Sequence, residues 1–319
     1  MMRDALLIAT ALLTALTLAG FFARWSWLCE LASHFRVQYA ALLAACAGIW
    51  WWMGSPVALV AAVAMAINLA LVLPCAIGRR DGDGHGRRTV RVMTINVNGA
   101  NQAYDRMLRA IQEVDADVVV LSEIHEAWLA GLDPLREVYR HGKAMLYRGR
   151  GFGIALMSRL PLERVEIRQF SPTNLPSVIA VLSVDGQPVT IIGTHPLAPI
   201  ERVYARLRNE QLGELARFIL AQPTPVVLVG DLNTSPWSAY FGQLVRIGRL
   251  RDSRAGFGVQ PTWPAGWPWL RIPIDHCLVS EGVRVHARRV GPPVGSDHLP
   301  LIIELSVDAS LSAPQESRA

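Results

Sequence analysis

Six short segments each place polar residues at the end of an apolar, strand-like run. They are Asn96-Val97-Asn98-Gly99, Leu121-Ser122-Glu123, Gly193-Thr194-His195, Gly230-Asp231-Leu232-Asn233, Ile274-Asp275-His276 and Ser296-Asp297-His298-Leu299-Pro300. Any one alone is an ordinary strand end. Together they supply carboxylates and amides for a hard cation, and imidazoles for proton and phosphate chemistry. That is the equipment for metal-assisted hydrolysis of a phosphate ester. A carboxylate closing an apolar strand, as Glu123 does, is costly unless it lies at a mouth or binds a cation. Asn96 and Asn98 are two residues apart, as are Asp231 and Asn233, so each pair shares one strand face and can enter one site. Asp275 and His276 are adjacent and point to opposite faces, so His276 need not share the site. Glu126 reads as a surface acid.

These motifs resemble those of the endonuclease/exonuclease/phosphatase superfamily, which includes DNase I-like nucleases, abasic-site endonucleases, neutral sphingomyelinases and inositol phosphatases. The resemblance covers roughly residues 89–306. It implies Mg2+ (or Mn2+) as cofactor, with Glu123 as ligand, Asn96 positioning the metal and that carboxylate, Asn98 on metal or phosphate, and Asp297 completing the metal environment. It implies that Asp231 orients and deprotonates the attacking water while Asn233 hydrogen-bonds the phosphate. His195 would contact the phosphate or protonate the leaving group. His298 would stabilise the phosphorane or act as base, oriented by Asp275. Abasic endonucleases carry Asp where this chain has Asn98, which weakens that particular assignment.

The positioning elements read as alternating strands and helices. Strands are expected over 89–97, 117–121, 151–157, 178–184, 189–192, 225–229, 274–279 and 299–305, from apolar runs ending in the motifs. Helices are expected over 103–114 and 200–220, from one-sided apolar spacing. Alternation argues for a layered α/β domain. The resemblance is more specific: a four-layered α/β sandwich, two packed mixed sheets flanked by helices. The domain limits expected are 1–78 for a membrane region, 79–88 for a linker, 89–306 for the catalytic domain and 307–319 for a disordered tail rich in Ser, Ala, Pro and Gln.

Composition is 51% hydrophobic, and the excess lies at the N-terminus. The runs Ala5–Phe22, Val37–Met53 and Pro56–Ile77 carry no charge, and each approaches the length that crosses a bilayer as a helix. About three transmembrane helices are expected, in an integral membrane protein of a bacterial inner or plasma membrane. A signal peptide, a buried hairpin, or two spans with an interfacial segment are the alternatives. Trp25, Trp27, Trp50, Trp51 and Trp52 fall near the run ends, where indoles favour the headgroup level. Arg79, Arg80, Arg87 and Arg88, suited to anionic headgroups, flank a Gly- and Asp-rich stretch that reads as a flexible linker. The positive-inside rule puts the catalytic part in the cytoplasm, whereas three spans from an internal N-terminus put it outside. The four cysteines form no CxxC pair, which supports neither a zinc ribbon nor a redox pair.

Trp263, Trp267 and Trp269 lie in a Pro- and Gly-rich loop before Asp275, with Arg271 available for a phosphate; Trp237 follows Thr234-Ser235-Pro236. An apolar surface loop beside a membrane tether suggests contact with lipid; core packing is the plainer reading. Two functions follow. One is a membrane-anchored metal-dependent phosphoesterase whose partners are membrane lipids and a phosphodiester or lipid-linked phosphate. The other is a tethered nuclease, which needs a basic groove; here the catalytic part has plentiful Arg but one lysine, Lys143. Because the motifs begin at Asn96, deleting residues 1–80 is expected to leave the fold and the hydrolysis of a small soluble ester intact, while sharply lowering turnover of a lipid substrate in vesicles. Oligomeric state is not legible.

Overall fold

The computed structural model describes residues 1–78, 81, 88–147, 151–170 and 173–308. Most of the expected linker and nearly all of the expected tail, with Arg79, Arg80 and Arg87, lie outside the described residues.

Residues 90–307 build the expected sandwich. One sheet holds β1 (Val90–Asn96), β2 (Val118–Ile124), β3 (His141–Met145), β4 (Gly153–Ser158), β11 (Val283–Val290) and β12 (Leu301–Val307), in the order β11-β12-β1-β2-β4-β3. The other holds β5 (Leu162–Gln169), β6 (Pro176–Val184), β7 (Gln187–Gly193), β8 (Val226–Asp231), β9 (Arg251–Asp252) and β10 (Asp275–Val279), in the order β5-β6-β7-β8-β10-β9. Both sheets are mixed: β1 runs parallel to β2 and β7 parallel to β8, while the neighbouring pairs are antiparallel. Between the sheets lies a core of Val90, Val92, Val118, Val120, Ile191, Val227, Val229 and Cys277 with their neighbours. The outer face of the first sheet packs on α5 (Tyr104–Val114) and α6 (Glu126–Gly131). The outer face of the second packs on α7 (Arg202–Leu220) and α8 (Ala239–Ile247).

This two-residue alternation positions the site. Asn96 continues the core-facing stripe of Val90 and Val92. Asp231 continues that of Val227 and Val229, His195 that of Val189 and Ile191, and Asp275 begins that of Cys277 and Val279. The polar ends of the inward stripes of both sheets therefore meet at one mouth of the sandwich. Gly193 lets the sheets close there, since a Cβ would come within 2.5 Å of Val120 Cγ1.

The N-terminal runs form three long helices, α1 (Met2–Ala19), α3 (Arg36–Trp52) and α4 (Val57–Ile77), with short α2 (Trp27–Ser33) between the first two. Met2–Phe22 and Val57–Ile77 are long and apolar enough to cross a membrane. The third, α3, has 17 residues, about 25 Å at 1.5 Å per residue against a hydrocarbon core of about 30 Å. Ala58, Ala61 and Ala64 let α4 approach Leu43, Cys46 and Trp50 of α3. Asn68 donates to Thr17 Oγ1 at 2.8 Å, and Trp50 Nε1 to Thr10 Oγ1 at 3.0 Å.

Contacts order the bundle. Arg3 lies over the Trp50 ring at one end. At the other, Glu30, Gln38, Leu71 and Cys75 all bond the sandwich. Residues 23–35 and the sandwich thus share one side of the bundle, with the N-terminus and the 53–56 turn on the other.

Candidate active site

Four loops and strand ends converge on Asp231, which is 1% exposed. Its Oδ2 accepts from Asn96 Nδ2 at 3.1 Å and faces His298 Nε2 at 3.6 Å and His195 Nδ1 at 3.5 Å. Its Oδ1 accepts the Asn233 backbone N–H at 2.8 Å. Burial pushes its pKa up; the His298 charge opposes this, and Asp275 adds to the rise. The preceding Gly230 has φ +139°, and a Cβ there would meet Thr194 O at 2.0 Å. Only glycine allows strands β7 and β8 to bring His195 and Asp231 together.

Glu123 reaches the site by a device that alternation does not reveal. The β2–β4 register shifts between Ser122 and Ile124, and Glu123 takes φ +62°. This bulge turns into the mouth a side chain that would otherwise face α5 and α6. Its Oε1 accepts from Asn96 Nδ2 at 2.8 Å and lies 3.2 Å from His195 Nε2; Oε2 accepts Gly99 N–H at 3.3 Å. Burial would raise its pKa, but the bonds to His195, Asn96 and Gly99 hold it at about 2. His195 is desolvated, which favours neutrality, yet Glu123 and Asp231 raise its pKa above the usual value.

His298 lies between two carboxylates. Its Nδ1 donates to Asp275 Oδ2 at 2.9 Å, fixing the ring as the resemblance implied, and Nε2 faces Asp231. Burial works against the imidazolium, but Asp275 and Asp231 push its pKa to about 10. Asp275 is fully buried, and its Oδ1 has no partner among the described residues.

Asp297, exposed at the mouth, accepts from Asn98 Nδ2 at 2.8 Å and from Trp263 Nε1 at 2.9 Å. Asn98 and Asn233 both adopt left-handed backbone, φ +57° and +50°, which Asn tolerates better than most residues. Asn233 Nδ2 donates to Pro196 O at 3.0 Å.

All nine residues singled out for chemistry therefore lie in one connected network. Among the described residues, Asp231, Asp275 and His298 form a trio whose ligand-type atoms all lie within 4.8 Å of one another. Glu123, Asp297 and the two Asn amides add further oxygen donors. An oxygen-dominated set with two or more carboxylates suits a hard divalent cation better than a soft one.

The remaining candidates divide between the site and its surroundings. His276 faces away: Nε2 bonds Thr234 O at 2.7 Å, Nδ1 meets Arg254 at 2.8 Å, and the ring packs on Phe241. Arg271 donates through Nε and Nη2 to the carbonyls of Pro264 and Ala265 in its own loop, and it is not among the residues that line the cavity over the site. Trp237 is tied to α4 through Nε1 and Leu71 O at 3.1 Å. Trp263 belongs to the site, whereas Trp267 and Trp269 are 67% and 85% exposed.

A cavity of about 530 Å3 opens over this network. Its floor is Glu123, His195, Asp231, Asn233, Asp297 and His298. One wall is apolar, with Phe152, Ile272 and Ile274 from the sandwich. The facing wall is Trp27, Leu31 and His34, from α2 and the residue just after it. The sequence reading missed this wall, which Trp27, Leu31 and His34 add from the N-terminal region. The signal available was Glu30, a lone acid between two apolar runs. It is 1% exposed and pairs at 2.6 Å with Arg208 of α7, itself fully buried.

A model of the Endonuclease/Exonuclease/phosphatase family matches residues 93–298, and the chain belongs to that family. Similar solved structures include an endonuclease/exonuclease/phosphatase from Beutenbergia cavernae DSM 12333, 23% identical with a TM-score of 0.55, over 70% of this chain and 72% of that one. D. rerio TDP2 complexed with single strand DNA product is 18% identical with a TM-score of 0.58, over 69% and 99%. Sphingomyelinase C from Streptomyces griseocarneus is 20% identical with a TM-score of 0.51, over 68% and 99%. At these identities the likeness is one of fold. A search of curated proteins finds no match.

Proposed function

We propose that the chain is a membrane-embedded, divalent-metal-dependent phosphoesterase that hydrolyses a phosphodiester or a lipid-linked phosphate. The observation that carries this reading is the cavity. Its floor holds carboxylates, amides and imidazoles, and its walls are apolar and partly built by the N-terminal helices. The helices support the membrane assignment. Leu7, Ile8, Leu12, Phe21, Leu59, Val60 and Val63 are 48–70% exposed, a surface too apolar for water. Trp267, Trp269 and Leu270 stand exposed in the loop whose backbone carbonyls accept from Gln38 near the start of α3. That supports a reading in which the tryptophan loop lies where the bundle would leave the bilayer. A nuclease has less to support it, with one lysine in the catalytic part.

In this reading Glu123, Asp297, Asn96 and Asn98 hold Mg2+ or Mn2+. When bound, the ion neutralises phosphate charge and polarises the ester. Asp231 takes a proton from the attacking water, whose oxygen adds to phosphorus. Asn96 and the Asn233 N–H hold that carboxylate in place. The P–O bond to the alcohol breaks, and the alcohol leaves with a proton from an imidazole, His195 or His298. The imidazole between Asp275 and Asp231 offers its charge to the pentavalent phosphorus. Asn233 lines the same floor and meets a phosphate oxygen.

The test is hydrolysis of bis(p-nitrophenyl) phosphate by the full-length protein in detergent with Mg2+. Activity that EDTA removes and excess Mg2+ restores supports the reading. Activity that survives excess EDTA contradicts it.

A further inference from the structure

The six motifs lie entirely in the sandwich, yet one of the groups over them does not. His34 follows α2, lines the cavity and is 4% exposed. Its Nδ1 lies 2.8 Å from Ser235 Oγ, in the loop that begins at Asp231. Its Nε2 is buried and has no partner among the described residues. A buried polar atom left unsatisfied is destabilising, a cost removed when a ligand atom meets it. The Ser235 hydroxyl bonds Nδ1 and no other group among the described residues. Donation by that hydroxyl satisfies its proton and leaves the tautomer with Nε2–H.

The placement is rigid. The Glu30 carboxylate accepts from Arg208 at 2.6 Å and from Ser238 Oγ at 2.7 Å. Arg208 also donates to the Asn233 carbonyl at 2.5 Å. One buried network thus fixes α2 to the loop that carries Asp231 and Asn233. Burial and the nearby Arg208 charge keep the His34 imidazole neutral, so it brings a hydrogen bond without a charge to an otherwise apolar wall.

We propose that His34 is a specificity residue that touches the substrate: Nε2–H donates to an oxygen of the alcohol portion of the phosphate ester, while Trp27 and Leu31 pack on its apolar part. The substrate class this defines is an amphiphilic ester with an oxygen close to the scissile phosphate, as the carbonyl esters of a glycerolipid have. The inference rests on the phosphoesterase reading above and adds the substrate's alcohol to it.

The experiment measures competitive inhibition of bis(p-nitrophenyl) phosphate hydrolysis by dihexanoylglycerol, using the full-length protein in detergent with Mg2+. Wild type, His34→Asn and His34→Gln are compared, with thermal unfolding of each. An Asn amide can replace Nδ1 toward Ser235 but not Nε2; a Gln amide reaches the Nε2 position. His34→Asn should raise the inhibition constant by roughly five- to tenfold, the worth of one hydrogen bond, and His34→Gln should restore most of it. A purely structural histidine gives the reverse order, Asn tolerated and Gln not, and overturns the proposal. So does a wild-type enzyme that hydrolyses the soluble diester but is not competitively inhibited, a result that leaves the phosphoesterase reading standing. Absence of diester hydrolysis in wild type removes that reading and this one together.

Discussion

Replacing Glu30 by Ala tests whether the N-terminal helices are part of the enzyme's fold. Glu30 and Arg208 are 1% and 0% exposed, and their atoms meet at 2.6 Å. The variant leaves the guanidinium buried with the Asn209 Oδ1 and Asn233 carbonyl bonds but no counter-charge. Breaking a buried pair from one side costs about 3–5 kcal/mol. Ser238 Oγ loses an acceptor as well, which puts the loss toward the upper end. For a chain of this size that is a fall in Tm on the order of 10 °C. The double variant Glu30→Met with Arg208→Met removes both charges, and should recover most of the loss because no charge is left stranded. The assay is thermal unfolding of the full-length protein in detergent, run as a double-mutant cycle. Equal stability of Glu30→Ala and wild type, or a double variant as unstable as the sum of the singles, refutes the argument. The same logic reverses the expectation that residues 1–80 are dispensable. Their removal strands Arg208 and takes the Leu71 acceptor from Trp237 and the Cys75 acceptor from Gly258. The truncated sandwich should aggregate or unfold easily.

Glu123→Gln should lose most activity against bis(p-nitrophenyl) phosphate, with partial rescue at higher Mg2+, read from the metal concentration for half activity. Asp231→Asn should lower turnover on the order of 10²-fold or more, the usual scale of general acid–base catalysis, with a Tm near wild type; a stable variant with wild-type turnover excludes it as the base. His34 should make the protein acid-sensitive. Its pKa falls from 6.5 to about 3 on folding, so the unfolded chain binds the proton more readily. The stability this neutral histidine contributes is whole above pH 6.5 and is lost as pH falls from 6.5 toward 3. At pH 4.5 the loss is about 2.7 kcal/mol, two pH units at about 1.36 kcal/mol each. His34→Asn should shrink the Tm difference between pH 7 and pH 4.5; an unchanged difference contradicts the assignment.

Much of the site was legible because its residues end the core-facing stripes of apolar strands. Asn96, Asp231, His195 and Asp275 follow from a period of two and an apolar run. The same period placed His276 on the outer face, against Phe241. Glu123 was found by type and motif, but the bulge and left-handed backbone that aim it depend on β4 and are not local to β2. Strands β3, β5, β9 and β11 were not foreseen. His141-Gly142-Lys143 and Leu162-Glu163-Arg164 lie at sheet edges, where solvent accepts charges and no apolar run marks the strand. The wall formed by α2 was hidden for another reason. Trp27-Leu28-Cys29-Glu30-Leu31 reads as a connection between spans, and its partners Arg208, Ser235 and Ser238 are some 200 residues away in sequence. Arg271 suggested a phosphate contact by charge and position, but two of its nitrogens bond its own loop's carbonyls, a local geometry that its sequence neighbours do not reveal.

The most direct measurement of the central claim is phosphorus NMR of lipid vesicles reconstituted with the full-length protein. The vesicles contain phosphatidylcholine, phosphatidylglycerol, phosphatidic acid and a polyprenyl phosphate, and plasmid DNA is assayed in parallel. The account predicts that Mg2+ causes the loss of at least one lipid phosphorus resonance, and that EDTA or Asp231→Asn prevents it, while the plasmid stays intact. Unchanged lipid resonances, together with Mg2+-dependent plasmid cleavage that falls steeply with salt, would contradict it.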